Sequence, residues 1–267
     1  MGWHAWTAVR LGLRRRSLLF LLILGLLVML GAEAFSGFSG RQPATVAMDL
    51  ALSTFRIIGV LLALFWAQEL FFKELEQGRL HTLLSLPRPR EHYLLGRFLG
   101  VAALLAGTLA FFGLLLWGLG AWVASGYNQG TPIHNGWPLV PVLAYLWLDL
   151  LTITSFAWLM GALSTTPMLP FGLGLAFAWA ARTLGPVVGY LYGQNDGMVG
   201  LRPTLGHWLQ GLQWALPDLS RLDLRAGILY GQWPGAATLL TDAGMALGYT
   251  AILLGLAVWR FNSREFA

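Results

Sequence analysis

Long apolar runs separated by short charged or Gly/Pro-rich segments set the character of this chain. Runs at 17–34, 50–71, 98–123, 139–163, 168–190 and 235–259 each come close to or exceed the about 20 residues a helix needs to cross a hydrocarbon core about 30 Å thick. The pattern predicts an all-α, polytopic membrane protein: one transmembrane domain over residues 1–267 with six spanning helices. The segments between the runs have their own signatures. Residues 3–16 (WHAWTAVRLGLRRR) suit an interfacial elbow helix, with Trp3, Trp6 and Leu13 against lipid and Arg10, Arg14, Arg15 and Arg16 at anionic headgroups. Residues 35–48 and 125–138 read as polar loops, and Ser164-Thr165-Thr166-Pro167 as a tight turn. Residues 191–233 are too polar to span and too apolar for a plain loop. They are expected to form short helices lying at the outer interface, where Trp208, Trp214 and Trp233 suit the headgroup zone.

Composition strengthens this picture. The chain is 57% hydrophobic and only 11% charged, against roughly 25% charged in soluble domains, so it cannot cover a water-facing surface. There is no Cys, which removes disulfides, thiolate metal sites and Cys nucleophiles. The net charge of +5 does not point to nucleic acid, because the basic residues flank the apolar runs instead of forming a phosphate-binding face. Arg10, Arg14, Arg15, Arg16, Lys73, Arg79, Arg88, Arg90, Arg97, Arg260 and Arg264 fall on one side of the six-span layout, and Arg41, Arg202, Arg221 and Arg225 on the other. The positive-inside rule then puts both termini and the 73–97 loop in the cytosol, which requires an even number of spans. Arg14 to Arg16, the first run and Ala32-Glu33-Ala34 imitate a secretory signal with its A-x-A site; the run is read here as the first span.

The cytosolic stretch 73–97 (KELEQGRLHTLLSLPRPREHYLLGR) is the most charged of the chain. Leu80, Leu83 and Leu84 share one face at helical period, Pro87 stops the helix, and Tyr93 to Arg97 lead into the third run. A loop needing only charge and a turn would read similarly. The order of residues goes further: Glu74, Gly78, Leu80, Leu83-Leu84-Ser85, Pro87, Arg90 and Gly96-Arg97 resemble the loop after the second span of the type-2 ABC exporter permease family. Arg79 and Pro89 depart from that family's Thr and Ser. The segment 216–223 (LPDLSRLD) and the terminal Arg260-Phe261 with Arg264-Glu265-Phe266 are further echoes. The permeases of nitrous-oxide-reductase maturation are similar in size and style.

The resemblance implies an inner-membrane permease subunit of a prokaryotic ABC exporter. It also implies a separate cytosolic ATPase that binds ATP and Mg, and a second copy or a similar permease as partner. Glu74, Glu76, Gly78, Arg79, Leu83, Leu84, Pro87 and Arg90 would meet that ATPase. This chain itself has no G-x-x-x-x-G-K-[ST] motif, and its only lysine is Lys73, so it is expected to carry no cofactor and no catalysis. Membrane lipids are the remaining expected contact.

Ionisable residues at membrane depth are functional candidates by default. Arg56, Asp149 and Arg182 qualify. At 1.5 Å per residue, Arg56 and Arg182 would lie roughly 10 Å below the outer surface and Asp149 about 15 Å. Two readings stand: Asp149 neutralised by one arginine to hold the bundle together, or an arginine lining the path of an anionic substrate. Haem ligation is excluded because His4, His81, His92, His134 and His207 all fall in loops or at interfaces. An intramembrane hydrolase would need a base beside Thr154 or Ser155, and no span carries a His. An external site using His134 or His207 with Asp196 or Asp218 stays open, as do a membrane scaffold and a secondary transporter. The outer aromatics Tyr190, Tyr192, Trp208, Trp214, Tyr230 and Trp233 fit interface anchoring first, and otherwise a lipidic or peptide cargo or a periplasmic partner. Gly185-x-x-x-Gly189 and Gly244-x-x-x-Gly248 are close-approach patterns of little weight in a chain with 33 glycines.

Overall fold

The computed structural model describes residues 2–13, 16–39, 41–72, 90–126, 133–164, 166, 168–192 and 216–263. Among them every regular element is helical: α1 (Gly2–Leu13), α2 (Arg16–Ser36), α3 (Pro43–Ala67), α4 (Arg90–Gly126), α5 (Leu139–Leu163), α6 (Met168–Tyr192), a 3-10 turn (Leu219–Leu222), α7 (Arg225–Tyr230) and α8 (Ala236–Asn262). Five of these are long and apolar enough to cross a membrane, where the sequence led us to expect six: Pro43–Phe72, Glu91–Gly126, Leu139–Leu163, Met168–Tyr190 and Ala236–Asn262. The expected first span falls on α2, of which the apolar stretch Gly25–Phe35 is shorter than a crossing. The chain is a multi-pass, all-helical membrane protein.

The spans begin and end where backbone chemistry dictates. Residues 35–48 are not all loop, because Pro43 sits in the first turn of α3, where its missing N–H costs nothing. From there Ala44, Thr45, Ala47 and Met48 are already buried. At its far end α3 widens into a π-helical turn, Gln68–Phe72, which turns Phe71 and Phe72 inward together. Ser164 leaves the helical region at the end of α5 and its hydroxyl accepts from the Thr166 N–H at 3.0 Å, which makes the tight turn into α6. Pro186 lies inside α6 and cannot donate to the carbonyl of Arg182 one turn earlier.

α5 stands at the centre, packed against α3, α4, α6 and α8. Hydroxyls join it to α8 within the bundle: Thr152 and Thr250 lie 3.1 Å apart, and the Tyr145 hydroxyl donates to the Leu239 carbonyl at 2.6 Å. Such bonds bind helices together where lipid supplies no hydrophobic drive. α1 lies along α4 with Trp6 and Arg10 exposed. Its other face approaches so closely that a Cβ on Gly100 would stand 2.4 Å from that of Ala8. Arg14 and Arg15 lie outside the described residues.

The two ends of the bundle differ in kind. At the end where α3, α5 and α8 finish, Phe71, Phe72, Phe98, Trp158 and Phe261 form one buried aromatic cluster. Phe71 stacks on Trp158 at 5.0 Å, and Phe98 meets the same indole edge-on at 5.6 Å. Gly161 makes room for Phe72, since a Cβ there would be 2.0 Å from its ring. At the opposite end, residues 216–231 cover the helices. This segment packs into the bundle: Leu219, Leu222, Leu224, Ile228 and Leu229 are all buried. Trp208 and Trp214 lie outside the described residues.

Candidate functional site

The charged side chains of three helices converge beneath the inserted segment. α3 presents Asp49, Ser53 and Arg56 at i, i+4 and i+7, one stripe of a helix. α5 contributes Asp149, which is 1% exposed, and α6 contributes Arg182. Arg182 grips both carboxylate oxygens of Asp149, through Nη2 and, at 3.5 Å, through Nε. Its Nη1 donates to the backbone carbonyl of Arg56 at 3.3 Å. The Arg56 Nε lies 3.7 Å from the same Asp149 carboxylate. The sequence brought Arg56, Asp149 and Arg182 to comparable depths, and the fold brings all three together, with one carboxylate serving two guanidiniums.

The surplus cation is matched from the inserted segment. Arg56 Nη1 donates to Asp223, and its Nη2 to the Leu219 carbonyl at 3.2 Å. Asp223 also accepts from Arg225, whose Nε and Nη2 stand 2.8 and 2.7 Å from its oxygens. Arg225 then reaches across to α3, donating through Nη1 to Asp49 at 3.0 Å and to the Ser53 hydroxyl. Asp49, Asp149 and Asp223 therefore alternate with Arg56, Arg182 and Arg225 in a chain of no net charge. Side-chain exposure rises along it from 1% at Asp149 through 16% at Arg56 and 19% at Asp223 to 52% at Asp49. Burial pushes the Asp223 carboxyl up, but the hydrogen bonds of Arg225 and the charges of Arg56 and Arg225 outweigh it and hold the group below its ordinary value. Those hydrogen bonds with Asp223 in turn raise Arg225 further. Leu52, Arg56, Asp149, Asp223 and Arg225 line a cavity of about 20 Å³, room for about one water molecule.

Local chemistry shapes the inserted segment to make these contacts. Asp218 caps the 3-10 turn, accepting from the Ser220 N–H at 3.1 Å and its hydroxyl at 2.6 Å. Arg221 lies 3.2 Å from Asp218 and 4.0 Å from Asp242 of α8, a second tie. α7 ends at Gly231, whose φ of 71° is natural only to glycine. There the Gly231 N–H returns to the Gly227 carbonyl at 3.0 Å, the αL stop of a helix. Gly185 of α6 lets the segment come close, since a Cβ there would be 2.2 Å from the Ser220 oxygen. Gly244 and Gly248 face open space.

Every hydrogen-bonding nitrogen that Arg56 and Arg182 present is accounted for by Asp149, Asp223 and two carbonyls, or lies against Asp149. The arrangement fixes helices to one another. Reading the sequence alone missed Asp49, Asp223 and Arg225. The Asp49/Ser53/Arg56 stripe was the signal for the first, and the LPDLSRLD motif at 216–223 for Asp223; nothing local marked Arg225. The backbone N–H of His134 donates to the Ile228 carbonyl at 3.1 Å, and Asp218 caps the 3-10 turn; His207 and Asp196 lie outside the described residues. So do Glu74, Glu76, Gly78, Arg79, Leu83, Leu84 and Pro87, while Arg90 is the first residue of α4. Among the described residues, no group of three or more His, Cys, Asp or Glu is placed to hold a metal ion.

Comparison with known proteins adds an independent line. The probable ABC transporter permease protein NosY of Pseudomonas aeruginosa is 39% identical over 119 residues, 40% of this chain. The match spans 42% of that relative's length. The model of the ABC-2 family transporter proteins matches residues 11–266. With nearly the whole chain matched, including the helices that carry the charge chain, this protein belongs to the ABC-2 family of transporter proteins.

Proposed function

We propose that the chain is the permease subunit of an ATP-binding-cassette exporter. In this reading α2 is a sixth span, since its 21 residues would extend about 31 Å. Both termini and residues 73–97 face the cytosol. A separate ATPase holds the helix expected at 74–86 through Glu74, Glu76, Arg79, Leu83 and Leu84, with Gly78, Pro87 and Arg90 shaping it. A second copy, or a similar permease, completes the membrane half. The family match from residue 11 to 266 carries the reading. The missing P-loop, the arginine asymmetry and the permease name of the Pseudomonas relative support it.

The fold offers a route for force from 73–97 into the membrane. That segment leaves from Phe72 and returns at Arg90, and Phe71, Phe72 and Phe98 beside it are packed on Trp158 and Phe261. Densely packed rings transmit displacement instead of absorbing it, so a push on 73–97 would move α3, α4, α5 and α8 together. At the other end Arg56, Asp149 and Arg182 hold the bundle closed. The tagged chain, purified from its native membrane, is expected to co-purify with a P-loop ATPase. Leu83→Ala with Leu84→Ala, or Glu76→Ala, should then cut ATP turnover in the complex several-fold. Unchanged turnover and full transport with residues 74–90 scrambled would sink the assignment.

A further inference from the structure

A second group of charges, separate from the chain around Asp149, is left out of balance. Asp242 of α8 is 4% exposed, and its one ion-pair partner among the described residues is Arg221, at 4.0 Å. That is too long for a hydrogen bond, although a carboxylate so deeply buried calls for close pairing. Arg221 is already shared: its Nε donates to Asp218 at 3.2 Å, and its side chain is 61% exposed. Two carboxylates therefore face one guanidinium.

Asp218 and Arg221 border a cavity of about 510 Å³ between α6 and α8. Its walls turn apolar with depth, through Leu184 and Val188 of α6 and Met245 and Tyr249 of α8. The Tyr249 ring lies 6.5 Å from that of Phe177, which joins the two helices farther in. Asp242, Met245 and Tyr249 follow one another at i, i+3 and i+7, one stripe of α8, so the buried carboxylate lies on the cavity's side of that helix. The 27 residues of α8 extend about 40 Å, more than a hydrocarbon core of about 30 Å. Its first turns, which carry Asp242, therefore reach into the headgroup layer.

We propose that this cavity binds an aminophospholipid, with the ammonium group at Asp218 and Asp242, the phosphate at Arg221, and an acyl chain along Leu184, Val188 and Met245. The ammonium supplies the missing positive charge, and Arg221 is then free to turn to the phosphate, its preferred partner geometry. An anionic headgroup would add negative charge where it is already in excess, so repulsion selects the zwitterion. The site requires a bilayer but neither an ATPase nor transport, and it stands or falls apart from the permease reading.

Gly189 lines the cavity, and a Cβ there would meet nothing within 4 Å, so Gly189→Trp fills the space from an open starting point. Delipidated full-length protein in detergent is titrated with dioleoyl phosphatidylethanolamine or dioleoyl phosphatidylglycerol, and bound lipid is counted by native mass spectrometry. Wild type should bind the ethanolamine lipid roughly tenfold more tightly than the glycerol lipid. Arg221→Gln and Gly189→Trp should each weaken the ethanolamine lipid several-fold, and Asp242→Asn should bring the two lipids close to equal affinity. Equal binding of both lipids by wild type would overturn the proposal, as would a preference that survives Gly189→Trp. Glycerophosphoethanolamine, the same headgroup without chains, should compete poorly, and full competition at equal concentration would overturn the role of the apolar walls. Dissociation of a dimer by Gly189→Trp, with lipid binding unchanged, would give the groove to a second copy of the chain and overturn the lipid site.

Discussion

One end of this bundle is held by rings and the other by charges, and the two respond to different insults. At the aromatic end, Phe71, Phe72, Phe98, Trp158 and Phe261 exclude water and interlock by shape. Nothing there has a substitute when it is removed. At the charged end the contacts grade from a fully buried Asp149 to a half-exposed Asp49, and the outer partners can be exchanged for water. In the permease proposed above, the aromatic end would take up force from residues 73–97, and the polar end would be free to rearrange. Rigid packing conveys displacement, whereas graded polar contacts can part and reform.

The largest effects should come from the deepest residue of each end, and rescue tells them apart. Trp158→Ala removes an indole with no solvent access and should cost about 3–5 kcal/mol, read as a lowered midpoint of thermal unfolding in detergent. Asp149→Leu leaves Arg56 and Arg182 without their shared carboxylate and should cost a similar amount, about 3–5 kcal/mol. Adding Arg182→Met to Asp149→Leu should recover a good part of that loss, because an apolar pair can replace a buried ion pair at little cost. No change of charge should recover Trp158→Ala. If Arg182→Met deepens the loss instead, the charged end depends on shape after all.

A smaller pair sharpens the contrast. Asp223→Asn removes charge-assisted bonds to Arg56 and Arg225 and should cost about 1.5–3 kcal/mol. High salt should weaken the wild type toward this variant, since the outer part of the chain is open to screening. Gly161→Ala should cost about 1–3 kcal/mol, because Phe72 must give way, and that loss should be the same at any ionic strength. Unfolding midpoints at low and high salt check both.

What was legible beforehand follows the same division. Residues 139–163 and 168–190 could be placed from the sequence because polar turns bracket unbroken apolar runs, and helix ends there are local events. The start of α3 was not legible: the run was read from residue 50, whereas the helix begins at Pro43, and Asp49 finds its partner only in Arg225 of a distant segment. The depths of Arg56, Asp149 and Arg182 could be counted along the chain, but their sharing of one carboxylate depends on how α3, α5 and α6 pack. Short helices were expected in residues 216–231 and are present, but their packing against α3 was not legible, because the match of Asp223 to Arg56 is tertiary. Phe71 read as the ordinary last residue of a span, since no pattern announces a π-helical turn that carries Phe72 inward with it.

Acid gives the smallest and most selective test. The Asp223 carboxyl is held below its ordinary value of 3.8 in the folded protein. A depressed carboxylate contributes stability that is fully present above the unfolded-state value and is lost as pH falls through the folded-state one. The contribution of Asp223 should therefore be flat across neutral and mildly acidic pH and fade only below about pH 4. The difference in unfolding midpoint between wild type and Asp223→Asn checks this directly. It should hold constant from about pH 8 to pH 5 and shrink toward zero in stronger acid, while the difference for Gly161→Ala stays level throughout. A difference for Asp223→Asn that already closes near pH 6 would mean that its carboxyl is protonated in the folded state at mild acidity. Arg56 and Arg225 would then not hold it as a charged partner, and the contrast between the two ends would fail at its outer rim.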